Sequence, residues 1–253
     1  MNDREIQRLV MSLRGVERFS REQLYQHFMD TEGALTMSTL GWRIYELTQK
    51  LIMQEVETGW YTLDVKPVYT PIPDKRIIKI DKIIRERYRK VKYCVWNINW
   101  LNEFTLHQFN RDIIVVETEK DLRESIAYTL LDNGFNNIVL QMMKDQFFIT
   151  HTKDPILILP VISRAPTQYI AHGRGQFGTA PSLEKILVDI YTDERTFYFV
   201  QGAELEKIFD HALRRYAINW TTLLGYAKRR GKGPALRAFL KDRFSDIFKP
   251  LIE

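Results

Sequence analysis

Carboxylates are the first residues in this chain that could do chemistry. Asp112 and Glu117 bracket an apolar run, with Glu119 just beyond it. An acidic strand of this kind is what a metal-dependent nuclease of the restriction type uses to bind a divalent cation and orient water. Such an enzyme also needs a lysine two residues after an acid. The sequence instead continues Glu117-Thr118-Glu119-Lys120, and no E-x-K occurs anywhere; the only D-x-K is Asp64-Val65-Lys66. Asp112 and Glu117, five apart, would also stand on opposite faces of a strand. A divergent nuclease using Asp112, Glu117 or Glu119 is therefore the alternative reading. Residues 181–189 form a second candidate. Glu184, Lys185 and Asp189 are expected on the exposed side of a helix that starts at Pro181, with Glu184 and Asp189 available as general acid and base. A surface i,i+4 pair between Lys185 and Asp189 explains the same pattern more simply.

Other motifs carry less. Gly173, Gly175 and Gly178 satisfy G-x-G-x-x-G. The motif falls late in the chain, inside a Gly/Pro-rich stretch (165–180) expected to be a loop, and no helix opens within it, so it reads as a loop that positions Arg174. His27, His107, His151, His172 and His211 are scattered and show no metal-ligand spacing, and Cys94 is the single cysteine. No G-x-S-x-G or phosphate loop is present. These residues predict no catalytic set, no metal site and no cofactor. The lone cysteine fits a reducing cytoplasm.

Cations are the other chemical resource. Residues 75–92 hold nine Lys/Arg against only Asp81 and Glu86. Ile77, Ile80, Ile84 and Tyr88 repeat at helical spacing there, so an amphipathic helix with a cationic face is expected. It is either a solvated face or a phosphate-binding one. A second cluster includes Lys228, Arg229, Arg230 and Lys232, interleaved with Tyr216, Trp220 and Tyr226, a composition that suits nucleic acid or an acidic protein.

The elements that would hold these groups follow from local signals. Residues 19–63 read as helix, turn, helix and two-stranded hairpin. Ser20 and Gln23 form a capping box, with Phe19 and Leu24 as a hydrophobic staple, and Gly33 is the stop. Leu40, Ile44, Leu47 and Leu51 are the buried stripe of the second helix. Gly59 supplies the positive φ of the hairpin. With a first helix over about 2–14, this order predicts a winged helix-turn-helix, whose second helix lies in the DNA major groove. Thr39, Trp42, Arg43 and Lys50 would face DNA, aided by Thr58 on the wing and by Arg76, Lys79 and Lys82 beyond it. The first 63 residues carry seven Lys/Arg and nine acids, so the positive field lies elsewhere in the chain, and this module has little electrostatic pull of its own. Pro67, Pro71 and Pro73 mark a linker. The expected division is 1–66 for the winged module, 67–74 for the linker and 75–253 for a mixed α/β domain. That domain should have strands at 93–97, 112–117, 137–141 and 155–163, and a helical C-terminal part ending in one helix over about 234–248. The longest apolar run, residues 156–162, includes Pro160 and is far too short to span a membrane. The charged first turns also argue against a signal peptide.

Residues 94–104, the helix at 181–189 and Tyr226-Ala227-Lys228-Arg229-Arg230 together resemble the AbiEi-like antitoxins of bacterial type IV toxin–antitoxin and abortive-infection systems. The resemblance implies a winged domain that represses its own operon and an α/β domain shaped like a restriction nuclease but catalytically inactive. It further implies a nucleotidyltransferase toxin as companion. The expectation is thus a non-enzymatic, cytoplasmic regulator and antitoxin that binds double-stranded DNA at its own operator. It would contact partner or nucleic acid through Arg174, Lys185, Lys228, Arg229, Arg230 and Lys232, with homodimerisation open. The further alternative is a non-catalytic protein-interaction module in phage defence.

Overall fold

The computed structural model describes residues 1–106, 108, 112–140, 153–172 and 175–252. The fold is mixed α/β, with three small sheets among the described residues and a helical C-terminal part. Two compact units divide the chain. The first joins Met1–Val68 to Leu213–Gly225 and Pro234–Glu253; the second joins Tyr69–Ala212 to Tyr226–Gly233.

The first unit opens with α1 (Asp3–Ser12), capped by Asn2, and the short strand β1 (Phe19–Ser20). Helix α2 (Arg21–Glu32) begins at the capping box. Gln23 N–H donates to Ser20 Oγ at 3.1 Å, and Ser20 N–H donates to Gln23 Oε1 at 2.7 Å. The helix ends at Gly33, whose φ of 76° is costly for any residue with a Cβ. Thr36 then caps α3 (Met37–Gln49) by accepting the Thr39 N–H. Strands β2 (Gln54–Glu57) and β3 (Trp60–Thr62) follow across a turn where Gly59 takes φ 77°, and β3 lies between β1 and β2. Leu9, Phe19, Leu24, Phe28, Leu40 and Leu47 form one fully buried cluster, with Ile44 packed against it. Each such side chain contributes about 1.5–3 kcal/mol by leaving water. Leu51 departs from the expected stripe. It sits past the helix end at φ 54° and is exposed.

The second unit opens with α4 (Lys75–Arg87), capped by Asp74, which buries Ile77, Ile80 and Ile84 as its spacing predicts. Strands β4 (Tyr93–Asn97) and β5 (Ile114–Thr118) pair antiparallel. Helix α5 (Arg123–Asp132) then leads to β6 (Ile138–Leu140) and β7 (Ile156–Pro160), giving a sheet of order β4-β5-β7-β6 in which β5, β7 and β6 run parallel. Their near-continuous apolar sequences suit a sheet covered on both faces.

The expected loop at 165–180 is instead a hairpin of β8 (Thr167–His172) and β9 (Gly175–Pro181). Its glycines suggested a loop, yet one of them serves close packing. A Cβ on Gly178 would lie 1.7 Å from Asp81 Oδ1 and 2.4 Å from the Tyr93 hydroxyl. That hydroxyl donates to Asp81 Oδ1 at 2.6 Å, and Asp81 is buried. Gly178→Ala should therefore cost about 1–3 kcal/mol by overpacking. Urea unfolding measures this, and an unchanged midpoint would refute the contact.

Pro181 also differs from expectation. It ends β9, and Ser182 rather than Pro181 starts α6 (Leu183–Thr192) as its cap. Helices α7 (Ala203–Arg215) and α8 (Trp220–Arg229) follow. The expected single last helix is two, α9 (Gly233–Arg243) and α10 (Ser245–Ile252). One undivided domain over 75–253 is not what the contacts describe, because two late segments complete the first unit. Lys66 donates to the Leu213 carbonyl at 3.0 Å, the Ala217 N–H donates to the Pro67 carbonyl at 2.9 Å, and buried Trp220 meets Phe248 edge to face at 5.2 Å.

Candidate functional site

Helix α3 presents the more open candidate surface. Its caps and buried Leu40 and Leu47 turn Ser38, Thr39, Trp42 and Tyr45 to solvent. Trp42 is 70% exposed and Tyr45 56%, and their rings meet edge to face at 5.9 Å. With Ser38 and Gly41 they line a shallow depression of about 430 Å³. Of the residues expected to face DNA here, Thr39 and Trp42 are exposed, the Thr39 hydroxyl lying 2.8 Å from that of Thr36. Arg43 is not: its guanidinium makes two hydrogen bonds to the Glu32 carboxylate and lies 4.7 Å from the Phe28 ring. Lys50 pairs with Glu46 at 2.8 Å, and that hydrogen bond leads the influences that push the Glu46 carboxyl down to about 2. The Thr58 N–H donates to Thr221 Oγ1 at 3.2 Å. Tyr45, Ser38 and Gly41 are additions to the face. The 3.6-residue period already placed Tyr45 there, three residues from Trp42.

The expected phosphate contacts on α4 are also largely engaged. Arg76 binds the Asp112 carboxylate and donates to the Asp154 carbonyl at 3.1 Å. Lys79 donates to the Asn133 carbonyl at 3.2 Å and lies over the Phe135 ring. Lys82 stays exposed, 3.9 Å from Glu86.

The second candidate is an ion cluster inside the second unit. Lys185 lies fully buried on α6, so it is neither a surface i,i+4 partner nor a surface contact. Its ammonium donates to Glu117 Oε1 on β5, at 2.5 Å, and to Asp189 Oδ2 one turn along its own helix. The Trp96 indole N–H also donates to Glu117 Oε1, at 3.3 Å. From α8, the Tyr226 hydroxyl donates to Asp189 Oδ1 at 2.8 Å. Arg230 stands 3.5 Å from the same oxygen and donates to Thr192 Oγ1 at 2.9 Å. Burial pushes the Glu117 carboxyl up, against the pull of Lys185. Burial alone would lower Lys185, but Asp189 and Glu117 together hold it well above its ordinary value. Burial likewise raises the Tyr226 phenol and the Cys94 thiol. A permanently protonated lysine and phenol are poor bases and poor nucleophiles. The adjoining cavity, about 50 Å³ and lined by Glu117, Asp189, Asp193, Phe197 and Arg230 among others, has room for water but not for a substrate.

The three acids of the nuclease alternative are held by different partners. Asp112 takes Arg76 and Asn97, Glu117 takes Lys185 and Trp96, and Glu119 accepts the Lys92 N–H at 3.3 Å. Among the described residues, no three His, Cys, Asp or Glu side chains group to hold a metal ion, and no helix is long and apolar enough to cross a membrane. In the C-terminal basic cluster, Arg229 donates to the Arg164 carbonyl at 2.9 Å, while Lys228 and Lys232 are exposed. Arg174 lies outside the described residues.

Two separated motifs, the helix around Lys185 and the one around Tyr226, thus converge on one set of charges. The Family of unknown function (DUF6577) matches residues 39–246, which take in both. The chain belongs to this family. The DUF6577 span begins inside α3, at Thr39, and includes Trp42, Tyr45, Glu117, Lys185, Asp189, Tyr226 and Arg230. Helices α1 and α2 lie before it. No curated protein matches the chain.

Proposed function

We propose that the chain is a non-enzymatic DNA-binding regulator of the winged-helix type. The observation that carries this is α3, the second helix of a helix-turn-helix followed by a hairpin, with Thr39 and Trp42 open to solvent. A helix so placed fits the major groove. Thr39 can hydrogen-bond a base edge or phosphate, and Trp42 offers an apolar edge to a thymine methyl group. Arg43 on α3 and Lys50 at its C-cap are neutralised within the unit, so binding through this face is expected to favour sequence over bulk electrostatics. The resemblance at the helices around Lys185 and Tyr226 extends the proposal to an antitoxin role in the cytoplasm, opposing a nucleotidyltransferase toxin, with the chain's own operator as DNA target.

A mobility shift on DNA upstream of the chain's own operon tests the reading. The full chain should shift this fragment at low salt, and Trp42→Ala should weaken the shift at least tenfold, about 1.4 kcal/mol. Absence of any shift at 50 mM salt would sink it.

A second reading, a protein-interaction module, is favoured by one observation. The exposed Trp42–Tyr45 pair has the aromatic composition of an interface hot spot. A self-association lost in Trp42→Ala, with DNA binding absent, would support this reading instead.

A further inference from the structure

The cations expected to meet phosphate on α4 are mostly engaged, but those just after them are not. Arg87, Arg89, Lys90 and Lys92 are all exposed, and among the described residues none of their side chains makes an ion pair or hydrogen bond. The antiparallel pairing of Tyr93 with Thr118 brings the end of this segment beside the start of the next: the Lys92 N–H donates to Glu119 Oε1. Lys120, also exposed, follows directly. The acids here are Glu86, 3.9 Å from Lys82, and Glu119 and Asp121. Positive charge therefore dominates one end of the β4–β5 ladder.

Helix-dipole complementarity explains a cation such as Arg87 in the last turn of α4. It does not explain Arg89, Lys90 and Lys92, which lie beyond the helix end. A protein interface would need an apolar centre, and residues 82–92 contribute no large exposed apolar side chain. A run of unpaired cations without such a centre is what neutralises a phosphate backbone. We propose that Arg87, Arg89, Lys90, Lys92 and Lys120 form a sequence-indifferent surface for the sugar–phosphate backbone of a nucleic-acid duplex. This surface belongs to the second unit and goes beyond the reading of α3, because it needs no contribution from Trp42.

The test uses the full chain and a labelled 30-base-pair duplex of random sequence, titrated with salt. Each neutralised phosphate contact adds about 0.9 to the slope of log affinity against log salt. The variant R87Q/R89Q/K90Q/K92Q removes only unpaired surface charge, so its melting temperature should match the parent. Its slope should fall by about 3.6, and its affinity at low salt should drop at least tenfold. Trp42→Ala should leave the slope unchanged, so failure of the α3 reading is seen separately, on the operator fragment. An unchanged slope in the quadruple variant overturns the proposal. So does absence of random-duplex binding at 50 mM salt, or a loss confined to polyglutamate, which would mark the surface as a docking site for an acidic protein.

Discussion

Lys185→Met should destabilise the chain by about 3–5 kcal/mol, the usual cost of removing one partner from a buried ion pair. Glu117 and Asp189, both buried, would lose the ammonium that lies between them. The methionine fills most of the lysine's volume, so packing contributes little to the loss. The dependence on pH distinguishes charge from shape. Burial already raises the Glu117 carboxyl, and without Lys185 it rises further. The variant's folded state then holds a proton that the unfolded chain releases near 4.5, so the deficit should shrink below that pH and grow above it. In the parent chain, Lys185 holds its proton more tightly when folded than when unfolded. Its contribution is complete below its ordinary value of 10.5 and is lost as pH rises toward the folded value. Tyr226 and Tyr93, raised first by burial, act in the same direction from about 10.0 upward. Denaturant unfolding between pH 4 and 11 checks all of this. A Lys185→Met deficit that is small and independent of pH would contradict the cluster. Adding Glu117→Gln to the variant should restore part of the loss, because it removes one of the stranded charges.

Trp220→Ala should cost about 3–5 kcal/mol, the range for deleting a large buried aromatic side chain. Trp220 is 2% exposed, and its edge-to-face contact with Phe248 joins two late segments of the first unit. Phe248 also carries the Arg237 guanidinium 5.7 Å from its ring. The loss should therefore appear in the unit containing α1–α3, although residue 220 is far from it in sequence. Fluorescence-detected unfolding combined with hydrogen exchange in residues 19–63 measures both effects. Unchanged exchange there would mean that the late segments do not support the early ones.

Local signals in the sequence were sufficient wherever the controlling contact is short. The Ser20–Gln23 box, the Gly33 stop and the Gly59 turn each act within four residues, and each is present. Strand β4 matches its expected span, and the apolar runs of β5 and β7 read as buried strands. The misread features depend on distant partners. Lys185 looked like a surface charge because Glu117, which holds it, is 68 positions away. The β8–β9 hairpin looked like a loop because Gly178 answers to Asp81 and Tyr93 rather than to its neighbours. Arg43 and Arg76 looked free for phosphate because their carboxylate partners, Glu32 and Asp112, lie on other elements. The break between α9 and α10 carries no glycine or proline to announce it. Of the α3 face, Thr39 and Trp42 were legible from helical period alone.

The chain enters the first unit three times, at Met1–Val68, Leu213–Gly225 and Pro234–Glu253. This sets an order of events during synthesis. Domains generally fold as units, N-terminal first, as they leave the ribosome. Here α1–α3 leave the ribosome well before the segments bearing Trp220 and Phe248, which belong to the same unit. The second unit is missing only Tyr226–Gly233, yet that piece brings Tyr226 and Arg230 to the buried charges. Each unit therefore needs residues beyond 212 for completion, and a premature stop anywhere before residue 220 leaves neither complete.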